Sequence, residues 1–150
     1  MNWDNIKEQI YFEDGSLRDI YVLNTTRDDW YRWIEYVNSN YPVNFYNHGL
    51  DEDIQFRQID PQAVTDRWDG KSDYNCIVIV RIKDAYLKAH FFAEDEIEND
   101  ISPKEFNSEE QHLALLKYLQ EVSQLLNKKV ILTDESRPER VLLLVKRGKY

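Results

Sequence analysis

The most distinctive side chains of this chain are five carboxylates within seven residues: Glu94, Asp95, Glu96, Glu98 and Asp100. They follow an aromatic-rich segment directly, so that the stretch 86–100 reads YLKAHFFAEDEIEND. Carboxylates this close together repel one another unless they are solvated or face positive charge. The run therefore predicts either a surface that is simply solvated or one that binds a positively charged partner. The aromatic strand leads directly into the run, whose own conformation the sequence leaves open between a strand, a loop and the lead-in to a helix.

The remaining reactive side chains do not predict a catalytic set. The only cysteine, Cys76, is expected to point into an apolar strand face, where burial raises the pKa of a thiol and makes it unreactive. The histidines His48, His90 and His112 have no His or Cys partner at metal-ligand spacing. The segment Gly70-Lys71-Ser72 lacks the earlier glycine of a phosphate-binding loop. We predict no catalytic residue, no metal and no cofactor.

The element expected to position the acidic run is a hairpin, with strands over 76–83 and 86–93 around a turn at Asp84-Ala85. In this register residue 79 lies opposite residue 90. One face is apolar throughout and should join the core; it holds Cys76, Val78, Val80, Ile82, Leu87, Ala89, Phe91 and Ala93. The other face is mixed, basic near the turn and apolar at the far end.

That mixed face supports an alternative kind of site. Its basic side chains are Arg81, Lys83, Lys88 and His90. Ammonium and guanidinium groups bind carboxylates and phosphates through charge-assisted hydrogen bonds. The alternative prediction is therefore a small enzyme or an anionic-ligand sensor with its site on this hairpin.

The first part of the chain predicts a hairpin and then two helices. Asp14-Gly15 is typical of a tight turn, here between strands at 10–13 and 16–23. Thr26 and Asp29 form an acidic capping box that begins a helix, and the helix ends before Pro42. Asn47-His48-Gly49 predicts a turn, and the alternation around Ile54 and Phe56 predicts a short strand. Asp60-Pro61 begins a short helix.

The last third predicts two more helix starts and a final hairpin. Ser102 with Glu105 reads as a capping box, and Ser108 with Gln111 begins the main helix, which runs to about Leu126. The last two strands cover 130–133 and 141–145. The second reads VLLLV, which predicts cover on both faces, either from helices or from a second subunit in a homodimer.

Together these elements predict a single α+β domain over residues 1–150. Its sheet is mainly antiparallel and built from hairpins, with two longer helices and one short helix packed on it. The expected order is β-β-α-β-β-α-β-β-α-β-β. A length of 150 residues is enough for one real hydrophobic core.

Charge and cysteine content narrow the expected partners. The net charge is −9, and residues 93–110 alone carry eight acids and one base. Nucleic acid is therefore a poor partner. The apolar runs are too short to cross a bilayer, and residues 1–9 do not resemble a secretion signal. A single cysteine fits a reducing compartment, so we expect a cytoplasmic protein that does not bind membranes.

The sequence thus favours a small acidic, non-catalytic protein-binding domain whose partner is a basic protein. In its general character the chain resembles the immunity proteins that bacteria pair with cationic toxin nucleases. The resemblance lies in size, acidity and the lack of a catalytic set, and it assigns no role to any residue. It implies an immunity-type inhibitor of a basic toxin.

Overall fold

A computed structural model describes residues 2–47, 55–73, 75–147 and 149. The helices are α1 (Trp3–Ile10), α2 (Arg27–Asn40), α3 (Pro61–Trp68) and α4 (Glu109–Leu126). The strands are β1 (Arg18–Leu23), β2 (Val43–Asn47), β3 (Cys76–Ile82), β4 (Ala85–His90), β5 (Glu96–Ile101), β6 (Val130–Asp134) and β7 (Arg137–Val145). The predicted turn at 47–49 lies outside the described residues except for Asn47. Residue Ile54 of the predicted short strand lies outside them as well.

The named strands form one antiparallel sheet in the order β2-β3-β4-β5-β1-β6-β7. Burial alternates along β3, β4 and β5, so one face of the sheet is apolar and buried while the other is open. The buried face and the apolar stripes of the four helices form one core cluster. The predicted α+β class is confirmed.

Helix starts follow the sequence signals closely. Thr26 and Asp29 form the expected capping box at α2, and the Asp60 side chain caps α3 with Pro61 in the first turn. The Ser108 side chain accepts from the backbone N–H of Gln111 at α4. These signals are reliable because a capping side chain replaces a hydrogen bond that the first helical turn lacks.

The predicted strand at 10–13 is wrong. Residues Trp3–Ile10 form α1, and the chain after it is held by Arg18 instead of by a partner strand. The Arg18 guanidinium donates to the carbonyl oxygens of Ile10 and Phe12, which removes those acceptors from any ladder. The predicted hairpin turn at Asp14-Gly15 is a bend instead, with Gly15 at φ 84° and the Asp14 carboxylate accepting from the Ser16 N–H.

The central hairpin is correct in its faces and wrong in its register. Its loop is Lys83-Asp84, so Ile77 lies opposite His90, where residue 79 was predicted. Lys83 takes a φ of 57°, and Ala85 is buried as the first residue of β4. The shift spans two residues, an even number, so each side chain keeps its face. The predicted core face is buried except for Ala93, which lies beyond β4 and is exposed.

The acidic run, whose conformation the sequence leaves open, begins in a crossover and continues as strand β5. Strand β4 ends at His90, residues 91–95 cross over outside the strands, and β5 returns antiparallel to it. The second predicted capping box is wrong. Ser102 makes no side-chain capping bond to the single 3-10 turn Pro103–Glu105, and Glu105 Oε1 accepts from the Tyr86 N–H at 2.9 Å.

Strand β7 is an edge strand, which corrects the prediction that its apolar run is covered on both faces within this chain. Val141 and Leu144 are 45% and 43% exposed, while Val145 is buried. α1 and α4 contact β7, in line with cover on one side of the sheet. The second explanation given for the run, closure by another copy in a homodimer, stays a prediction.

Candidate functional site

The open face of the sheet carries most of the site residues predicted from the sequence. We define it as the side of β1–β5 that points away from the helices. On β2 to β5 its side chains are half-buried or exposed; they are Asn44, Tyr46, Ile77, Ile79, Arg81, Tyr86, Lys88, His90, Glu96, Glu98 and Asp100. Because neighbouring strands fix their positions, these groups form a rigid array.

Carboxylates cross the centre of this face. Glu96, Glu98 and Asp100 alternate along β5, and Asp19 on β1 lies directly opposite Asp100. We call these four residues the acidic strip. Two central strands therefore place like charges side by side, an arrangement that costs stability in a sheet.

Burial and mutual repulsion perturb the strip. Loss of solvent raises the pKa of Asp19, Glu96 and Glu98, and the neighbouring carboxylates raise it further. Two hydrogen bonds partly offset the rise in the pKa of Asp19. Its carboxylate accepts from the Ser136 N–H at 2.6 Å and from the Tyr21 hydroxyl at 3.0 Å. Positive charge supplied to the face from outside would stabilise the ionised strip.

The other two predicted partner-binding residues lie elsewhere. Glu94 Oε2 accepts from Arg27 Nε at 2.8 Å, and Arg27 also pairs with Asp69. The Glu94 carbonyl accepts from Trp30 Nε1 and from the Thr25 hydroxyl, so this residue anchors the segment before β5 to α2. Asp95 is exposed beside it, and its carbonyl accepts from the Thr25 N–H. Three of the five predicted carboxylates thus share the open face, and two do not.

His90 borders the acidic strip. Its Nε2 lies 2.7 Å from Asp100 Oδ2, and its ring stacks on Phe92 with centroids 4.9 Å apart. Phe92 is 66% exposed. An apolar ring beside a row of carboxylates is the combination that anchors and orients a protein partner.

The basic residues of the alternative site do not converge as a group of four. Arg81, Lys88 and His90 lie on the open face, but Lys83 lies in the turn, with Nζ 3.9 Å from Glu110. His90 is engaged by Asp100, which also lies opposite Lys88. Arg81 donates from Nε to the Lys83 carbonyl.

A groove beside Arg81 brings in a residue that the sequence did not single out. It encloses about 340 Å³ and is lined by Pro42, Val43, Asn44, Arg57, Ile79, Arg81 and Tyr86. A second groove of about 430 Å³ shares Asn44, Ile79 and Tyr86 and extends to Lys88 and Asp100. The sequence did not predict Arg57 as a site residue, because its position depends on the β-bridge between Phe56 and Phe45. No local sequence pattern predicts that bridge.

Cys76 lies on the buried face of β3, away from the His90 ring, as predicted. Burial raises the pKa of its thiol to about 11, so the thiolate is scarce at neutral pH. Within the described ranges, His, Cys, Asp and Glu side chains form no group of three arranged to hold a metal ion. His112 is buried and hydrogen-bonds the Tyr11 hydroxyl.

The fold and the open face define an α+β domain of one antiparallel sheet covered by helices on one side. Comparison with protein-family models, with curated proteins and with solved structures found no match. None of the helices in the described part of the chain has the length and apolar character needed to cross a membrane.

Proposed function

We propose that this chain is a non-catalytic protein-binding domain that docks a basic protein on its open face. The observation that carries the proposal is the acidic strip. Three of its four carboxylates have a raised pKa because burial and like charge disfavour ionisation. A partner with lysines or arginines at complementary positions would relieve that repulsion and gain charge-assisted hydrogen bonds.

The shape of the strip suits a macromolecule. Its three β5 carboxylates are half-buried along the middle of the sheet, where a flat or convex surface can reach them, and Asp19 is buried beside them on β1. Phe92, at one edge, offers an exposed ring for a desolvated contact. Charged groups of this kind raise the association rate and select the partner, while the apolar contact slows dissociation.

The finer proposal is an immunity-type role in the cytoplasm. Nucleases that bind phosphate backbones need positive surfaces, and an inhibitor of such an enzyme needs negative charge in a fixed arrangement. The net charge of −9 and the strip meet that need. Cys76 is a buried free thiol, which suits a reducing compartment.

The experiment compares capture by two variants of equal charge. The strip variant carries Glu96→Gln, Glu98→Gln and Asp100→Asn. Its matched control carries Glu8→Gln, Glu35→Gln and Asp73→Asn, three exposed sites on other parts of the molecule. Each is immobilised and exposed to a lysate of the native host at about 0.1 M and about 1 M salt, where the screening length falls from roughly 10 Å to roughly 3 Å.

We expect the wild type and the control to retain the same basic protein at low salt and to lose it at high salt. The strip variant should retain little of it. Measured with the purified partner, the strip substitutions should slow association more than they speed dissociation. Equal retention by the strip variant and the control would contradict the proposal.

A further inference from the structure

We propose that the groove between β2 and the β3–β4 hairpin binds a small organic molecule that carries a phosphate group. Arg57 and Arg81 would hold the phosphate, and the organic part would lie over Ile79 and Tyr86. The groove volume of about 340 Å³ lies within the range of small-ligand pockets. The groove contains no residue of the acidic strip, although the second groove that joins it reaches Asp100. The inference does not depend on the proposed protein partner.

The two arginines differ from those that hold the fold together. Arg18 is fully buried among carbonyl acceptors, and Arg27 and Arg32 each form an ion pair of 2.8 Å. Among the residues that the structure describes, Arg57 forms no ion pair. Arg81 donates from Nε to the Lys83 carbonyl, and its one ion pair is long, 3.4 Å from Nη2 to Asp84. Both partners of that contact are more than half exposed, so solvent weakens it. Two guanidinium groups thus line one groove, and no strong counter-ion for them lies within residues 2–47, 55–73, 75–147 and 149.

The chemistry of that pair favours phosphate. A guanidinium presents donors in a planar fork that matches two oxygens of a phosphate or carboxylate. Two such forks in one groove supply donors to several oxygens at once, and they offset the double charge that a phosphate monoester carries near neutral pH. The Asn44 side chain lines the same groove and adds an amide that donates or accepts.

The floor of the groove suits an apolar or planar organic group. Tyr86 is 51% exposed on β4, directly opposite Arg81 on β3. Ile79 lies beside it, and both residues continue into the second groove, which leads to Lys88. The ligand is a small molecule and not a nucleic acid, because a chain with a net charge of −9 repels a phosphate polymer.

The test uses phenyl phosphate as the probe, with phenol, benzoate and inorganic phosphate as comparisons. Binding is followed by amide chemical shifts in ¹⁵N-labelled protein. For a ligand of this size we expect a Kd of about 1 mM. The largest shifts should fall on Asn44, Arg81 and Tyr86. Phenol should not bind measurably, and benzoate and inorganic phosphate should bind several-fold more weakly.

Substitutions locate the phosphate contact. Arg57→Gln and Arg81→Gln should each weaken binding of phenyl phosphate about tenfold, while Arg137→Gln, an equal charge change on exposed β7, should leave it unchanged. Both arginines of the groove are exposed, and thermal melts check that each variant folds. The strip variant should bind the probe at least as tightly as wild type, which separates this site from the proposed protein surface.

Three results would overturn the inference. The first is an absence of shifts in the groove at about ten times the expected Kd. The second is binding that Arg57→Gln and Arg81→Gln leave intact. The third is an equal affinity for inorganic phosphate and phenyl phosphate, which would remove the organic part of the ligand.

Discussion

Nε2 of His90 and Oδ2 of Asp100 lie 2.7 Å apart across neighbouring strands of the sheet. Asp100 also faces Asp19 on its other side, so it links the acidic strip to the aromatic stack of His90 and Phe92. An ionised carboxylate only accepts hydrogen bonds, so the imidazole must donate. This contact fixes which ring nitrogen carries the proton.

We therefore expect neutral His90 to carry its proton on Nε2. Long-range ¹H–¹⁵N spectra at alkaline pH would distinguish the two tautomers. The substitution Asp100→Leu removes the acceptor and should return the ring to a mixture of both forms. A neutral ring protonated mainly on Nδ1 in the wild type would contradict the contact.

The strip should cost stability at neutral pH. Glu98→Gln removes a charge that lies near Asp19, Glu96 and Asp100, and we expect it to raise the free energy of unfolding by about 0.5 kcal/mol. Urea denaturation at neutral pH would measure this. The control Glu35→Gln, at an exposed position on α2, should change stability much less.

The raised pKa of Asp19, Glu96 and Glu98 also gives the strip a definite pH dependence. A carboxyl whose pKa is higher in the folded than in the unfolded state binds its proton more tightly when folded. Its unfavourable contribution is therefore present above the folded pKa and is lost as pH falls through that value. Relative to wild type, the gain from Glu98→Gln should shrink as the solution is acidified. A stabilisation by Glu98→Gln that grows on acidification would contradict this prediction.

Arg18 should be essential for the N-terminal segment. It is fully buried, and it donates to the carbonyls of Ile10, Phe12 and Leu17 and to the Ser16 hydroxyl. Arg18→Met keeps much of the side-chain volume but leaves these acceptors unsatisfied, and we expect a loss of about 3 kcal/mol in the free energy of unfolding. Arg18→Lys should recover part of it. A loss below about 1 kcal/mol would show that water replaces the guanidinium.

A buried polar chain connects α2, α4 and β5. Trp33 Nε1 donates to the Tyr118 hydroxyl at 3.0 Å, and that hydroxyl donates to Asn99 Oδ1 at 2.6 Å. Tyr118→Phe leaves a donor and an acceptor without partners, so we expect a loss of about 2 kcal/mol. Asn99→Leu combined with Tyr118→Phe should cost less than the sum of the two single changes. Strict additivity in the double-mutant cycle would contradict coupling through the hydroxyl.

The predictions from sequence succeeded where a local signal was decisive. The caps at Thr26, Asp60 and Ser108 each fixed a helix start, and alternation fixed the faces of the central hairpin. The hairpin register depended on whether Lys83 adopts a positive φ, which is uncommon for a residue with a side chain. Helix α1 was missed, although Trp3, Ile6 and Ile10 lie at helical spacing after Asn2.

The site was harder to predict because it depends on contacts between distant strands. The sequence identified Glu96, Glu98 and Asp100 but could not show that β1 adds Asp19 beside them. It also could not show that Glu94 is engaged by Arg27, since residues 67 positions apart meet only in the folded chain. For the same reason, the sequence could not show that Arg57 lies in one groove with Arg81.

The edge strand β7 affects how this protein behaves in concentrated solution. Its outer backbone groups are available for pairing, and Val141 and Leu144 are exposed along it. Three cations, Arg137, Lys146 and Arg147, lie at or beside the two ends of this strand, and Arg140 is paired with Asp134. At low ionic strength they repel a second copy, and added salt screens that repulsion. The protein should therefore stay dispersed in dilute buffer and form edge-to-edge aggregates as the ionic strength rises.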